Sequence, residues 1–134
     1  MSPRPSLLVL CTILSSACAQ SLDERLDELD AQVTVDCGTV LRCSPAADAQ
    51  AVVTCLRDNL AAGVGAKALF ELGLDPVAHV YAIDGQLVSI EGYCYDECYF
   101  KEAICHEIVV SSGSSCATAY PTECEEPVRE WDHD

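Results

Sequence analysis

The sequence predicts a disulfide-rich α+β fold in which one main helix packs on a four-stranded antiparallel meander. Three observations predict it. Ten cysteines occur in 134 residues, and eight of them lie beyond residue 36, a density that belongs to an oxidising compartment. Residues 45–62 repeat their apolar positions with a period near four, as a helix does. After Gly65 the period falls to two across four successive runs, as in strands.

Element by element, residues 1–18 read as an export signal. Arg4 precedes the apolar run 7–14, which is too short for a bilayer core needing roughly 20 residues. Leu14, Ser15, Ser16, Ala17 and Cys18 resemble a bacterial lipobox, with Ser15 where leucine is usual. Cutting there would leave Cys18 as a diacylated N-terminus. The competing outcome is cleavage after Ala19, with small side chains at Ala17 and Ala19. Cys11 and Cys18 are then set apart from an even number of framework cysteines.

Residues 19–36 read as an acidic tether. Leu22, Leu26, Leu29 and Val33 fall at helical spacing, so a short amphipathic helix fits there, spacing the domain from the envelope. The cysteine-rich domain spans 37–124. Its helix is announced by Ser44 as cap and Pro45 in the first turn; Val52, Cys55, Leu56 and Leu60 make its apolar stripe, and Gly63 stops it. Strands are expected at 67–72, 77–83, 86–95 and 102–110. Asp84-Gly85 is a type I′ hairpin signal that pairs Ile83 with Gln86, Tyr81 with Val88 and His79 with Ile90. That face is the more apolar one and should carry the helix. On the last strand the inward set should be Ile104, His106, Ile108 and Val110.

This register places Cys94 inward and Cys105 outward, which disfavours a bond between them. It favours a Cys55–Cys94 staple from helix to sheet. Cys37–Cys43, Cys98–Cys105 and Cys116–Cys124 then close short loops. Residues 125–134 are acidic, hold the sole tryptophan, Trp131, and read as a disordered tail.

Composition excludes some functions. With 22 acidic against 7 basic residues the formal charge is −15, one unit more negative once Arg4 is removed, so nucleic acid is a poor partner. The Asp-rich calcium loop pattern does not occur. Cys94 and Cys98 have a spacing that zinc tolerates, but no second short pair accompanies them. His79 and His106 would lie a strand apart, so both read as structural histidines and no metal or other cofactor is expected. Gly63 and Gly65 lack the remainder of a phosphate loop. No Ser-His-acid set emerges, so the chain reads as non-enzymatic. The candidate binding patch is Tyr93, Tyr95, Asp96, Glu97 and Tyr99, aromatic and acidic at one end of the sheet, for an unidentified protein or small-molecule partner.

This layout of lipobox-like leader, short tether, spaced cysteines, helix and sheet resembles the small cysteine-rich predicted lipoproteins of unknown function found in myxobacteria and related bacteria. The resemblance implies export and a membrane anchor through Cys18, and no activity. Helix-plus-curved-sheet order is also similar to the cystatin-like arrangement, but the Gln-x-Val-x-Gly inhibitory loop of cystatins does not occur. The expectation is a cell-envelope or surface protein, with a secreted ligand-binding or inhibitor module as the alternative.

Overall fold

In the computed structural model, which describes residues 20–72, 76–94, 97–112 and 116–133, the elements are α1 (Leu22–Asp30), β1 (Val35–Val40), α2 (Ala46–Ala62), β2 (Ala66–Glu71), β3 (Val77–Ile83), β4 (Gln86–Cys94), β5 (Cys98–Ser112), β6 (Ala117–Cys124) and β7 (Arg129–His133). All the strands join one sheet in the order β1-β2-β3-β4-β5-β6, with β7 also paired to β5. The expected single helix on a four-stranded antiparallel meander is therefore corrected, among the described residues, to a seven-stranded mixed sheet with two helices. β1 and β2 run parallel, joined by α2 as a crossover, since parallel neighbours need a long connection.

The two helices cover opposite faces. Side chains alternate along a strand, and in β3 the small residues Ala78, Val80 and Ala82 meet Ala49, Val52, Val53 and Leu56 of α2. On the other face Tyr81 and Ile83, with Val88 and Ile90 from β4, pack against Leu22, Leu26 and Leu29 of α1. The hairpin register is as the Asp84-Gly85 turn requires, with positive φ at both residues. The expectation that the Tyr81–Ile90 face carries the main helix is corrected: it carries α1, and α2 takes the alanine-lined face, where small side chains admit a helix closely.

Residues 22–30 are thus no tether. Ser21 and Glu24 form a reciprocal capping box, with Glu24 N–H donating to Ser21 Oγ at 3.1 Å and Ser21 N–H to Glu24 Oε1 at 2.9 Å, which closes two orphan donors of α1. Leu29 is fully buried. In α2 the cap position belongs to Pro45 rather than Ser44; the Ser44 hydroxyl donates to the Leu41 carbonyl at 2.6 Å. Gly63 ends the helix at φ +73°.

β1 was hidden by an irregularity, since its pairing shifts between Asp36 and Gly38. A bulge of this kind interrupts the period of two. In β5, Cys105 and Ile108 are both buried while His106 is exposed, so the expected inward set fails at His106. Alternation changes over between Cys105 and Ile108, beside the positive φ of Glu123. The expected disordered tail is corrected at residues 129–133, which pair with β5 as β7.

Four disulfides form among the described residues: Cys37–Cys55, Cys43–Cys116, Cys94–Cys98 and Cys105–Cys124. Each of the four expected pairings is replaced. Cys94 shares the α1 side of β4 with Ile90, whereas Cys55 lies on α2 across the sheet, so the proposed staple has a sheet in its way. Cys55 instead meets Cys37 of β1. Cys43–Cys116 joins the two ends of the sheet, where Ser44 and Ala117 exchange a pair of backbone hydrogen bonds of 2.9 Å. Thr118 Oγ1 donates to the Glu71 carbonyl in the same region, at 3.2 Å. The sheet curls around α2 and meets itself there.

Candidate functional site

A convergence of polar side chains around a cleft lies where the C-terminal end of α1 crosses β1, β2 and β3. Asp30, the last residue of α1, is brought there by the burial of Leu29 beside it and the packing of Leu26 one turn earlier. Lys67 of β2 and Tyr81 of β3 are register partners, as are Leu69 and His79, so Lys67, Leu69, His79 and Tyr81 form one patch. With Asp36 and Thr39 of β1 they line a cleft of about 270 Å³. Tyr81 donates its hydroxyl to Asp30 Oδ1 at 2.9 Å, and Lys67 Nζ donates to the same oxygen at 3.3 Å.

Burial raises the Tyr81 phenol far above its ordinary pKa, and the hydrogen bond to Asp30 adds to this. Tyr81 therefore remains a proton donor to Asp30 across the neutral range. Burial lowers the His79 imidazole, which keeps it neutral at neutral pH. The cleft presents a neutral imidazole, an ammonium and two carboxylates to a small polar ligand. His79, which the sequence marks as a structural histidine, is half-buried at this cleft. His106 faces Glu125 at 2.7 Å on the exposed side of β5, and the two rings are not brought together. Among the described residues no group of three or more His, Cys, Asp or Glu is placed to hold a metal ion.

A second polar centre was missed in the sequence. Glu102 of β5 is 2% exposed and receives Arg25 through both carboxylate oxygens, Nε at 2.9 Å and Nη2 at 2.7 Å. Arg129 of β7 adds a third contact at 3.2 Å. The hydrogen bonds to Glu102 raise the Arg25 pKa above that of a free guanidinium. One signal for this centre existed: Arg25 stands on the same helical stripe as Leu22, Leu26 and Leu29, and it is the one basic residue there.

The aromatic patch is partly assembled. Tyr93 and Tyr99 are register partners across the β4–β5 hairpin, with ring centroids 5.9 Å apart and planes tilted by 53°. Tyr99 is hydrogen-bonded to Glu130 of β7, which raises its phenol pKa. Glu97 is exposed at the hairpin end closed by Cys94–Cys98. Tyr95 and Asp96 lie outside the described residues, as does Cys18. Phe100 is directed to the opposite face, where its ring covers Gly92. A shallow groove of about 460 Å³ borders the Cys43–Cys116 closure, lined in part by Arg42, Leu72 and Thr118.

No described helix is long and apolar enough to cross a membrane, and the four disulfides place the domain in an oxidising environment of the exported or extracellular kind. Compared with protein-family models, curated proteins and solved structures, the chain matches none.

Proposed function

We propose that the chain is a non-enzymatic exported protein of the cell envelope or surface, anchored to a membrane by acyl chains on Cys18. The observation that carries this reading is the complete pairing of Cys37, Cys43, Cys55, Cys94, Cys98, Cys105, Cys116 and Cys124, which fits folding outside the reducing cytosol. The lipobox-like segment ending at Cys18 supplies the anchor, and two or three acyl chains hold a protein stably at about 0.8 kcal/mol per buried methylene. Mass spectrometry of the mature N-terminus tests the anchor: acylated Cys18 is the expected product, and a free N-terminus at Gln20 would replace the anchored protein with a secreted one.

A second reading is favoured by the Tyr93–Tyr99 pair beside Glu130. Two half-buried aromatic rings flanked by carboxylates suit a cationic ligand, as in a secreted binding module working through the hairpin closed by Cys94–Cys98. Titration with tetramethylammonium or an oligolysine peptide, followed by tyrosine fluorescence, tests it; Tyr99→Ala should abolish any response.

A further inference from the structure

Trp131 is the sole tryptophan of the chain. Its indole Nε1–H donates to the Gln20 carbonyl at 3.0 Å, and α1 begins two residues later at Leu22. Between them lies a groove of about 360 Å³ lined by Ser21, Leu22, Asp23, Phe100, Trp131 and Asp132. Leu22, Phe100 and Trp131 are each half-buried, so an apolar floor stays in contact with solvent under a rim carrying two carboxylates. Cys18 stands two residues before Gln20, and two residues of fully extended chain reach roughly 7 Å.

From this spacing we infer that the end of the domain centred on Trp131 rests on the lipid surface into which the acyl chains of Cys18 insert, an inference that rests on the anchor reading above. The residues expected to form a tether are committed to α1 and β1, so Ala19 alone separates Cys18 from the pinned Gln20. The occupant of the groove is the headgroup and upper acyl region of that bilayer. Tryptophan favours this depth because its ring is apolar and its N–H polar. Asp23 and Asp132 on the rim repel anionic headgroups, so the lipid that fits is zwitterionic.

The test uses the protein made in a bacterial host, its N-terminus read by mass spectrometry, then reconstituted into phosphatidylcholine vesicles with or without brominated acyl chains. Expected are an acylated Cys18 and a clear loss of Trp131 emission on bromination, as for an indole at the membrane interface. Inserting about ten Gly/Ser residues between Ala19 and Gln20, a spacer of roughly 17 Å r.m.s. length, should restore the emission. Acylated Cys18 with emission indifferent to bromine overturns the inference and leaves the anchor standing. Quenching that survives the spacer supports the bilayer as occupant of the groove and overturns the part given to the short link. An acylated protein that stays out of the vesicles with its lipid folded into its own groove overturns the whole inference. An unacylated N-terminus removes the anchor itself, and the inference with it.

Discussion

Glu102 is an acid in a place where acids are rarely left. Its carboxylate is removed from water and held by Arg25 and Arg129, so its desolvation is offset only while those partners remain. Arg25→Ala leaves the carboxylate with Arg129 alone, and urea unfolding should show a loss of about 3 kcal/mol. A loss near zero would mean that water reaches Glu102. His79 makes a different prediction. Its pKa is lowered by burial from the ordinary 6.5, so the unfolded chain binds this proton more readily than the folded one. The associated stability is complete above about pH 6.5 and is lost as the pH falls through the folded pKa. Urea midpoints at about pH 7.5 and about pH 5 should therefore diverge more for the native chain than for His79→Gln. Equal divergence would place the pH dependence elsewhere. Gly65 makes the tightest backbone contact among the described glycines: a Cβ there would sit 1.9 Å from the Gln32 carbonyl oxygen, so Gly65→Ala must push the α1–β1 connection away from the start of β2, where Thr34 and Val35 N–H donate to the Gly65 carbonyl.

Among the elements, the disulfides differ in what they constrain. Cys43–Cys116 spans 73 residues and Cys94–Cys98 only 4. On chain entropy alone the former is worth about 4 kcal/mol and the latter about 2. The double variant Cys43→Ala/Cys116→Ala should unfold at a lower urea concentration than Cys94→Ala/Cys98→Ala, and the reverse order would mean that the curled sheet holds its closure without the bond. The elements legible in sequence were those whose signals are local. The Asp84-Gly85 turn set the β3–β4 register, and Gly63 set the end of α2. β1 escaped because the shift between Asp36 and Gly38 breaks its alternation. β6 escaped because Cys116 and Cys124 read as the ends of a closed loop, and β7 because its alternation is buried in a charged segment that only the adjacent strand makes structured. α1 was visible as a pattern, but its destination was not: a stripe of leucines does not say which face of which sheet awaits it.

At the scale of the whole molecule, face assignment was the main thing local pattern could not supply. The Tyr81–Ile90 face is the more apolar, yet the main helix chose the alanine face because β1 and β2 flank α2 and fix the side on which it crosses. The candidate cleft follows from that choice, since His79, Tyr81 and Lys67 share a site with Asp30 only when α1 covers their face. The two tyrosines of the patch were legible from their positions beside a hairpin; the Glu130 partner was not, because it arrives from the segment read as a tail. A global check is available: with the described cysteines all paired, the mature protein, denatured without reductant, should titrate no free thiol with Ellman's reagent, and a reactive pair would contradict the connectivity. That connectivity also bears on how the protein is made. The four bonds expected from sequence join each cysteine to the next one along the chain, the order in which an oxidase meets them as a polypeptide is exported. Of the native bonds only Cys94–Cys98 follows that order, because Cys43 must wait for Cys116. Oxidation in chain order is therefore expected to pair Cys43 with an earlier partner first, so the reduced domain should regain its native bonds faster in a glutathione exchange buffer than under oxidant alone, and equal rates would mean that Cys43 stays unpaired until Cys116 is present.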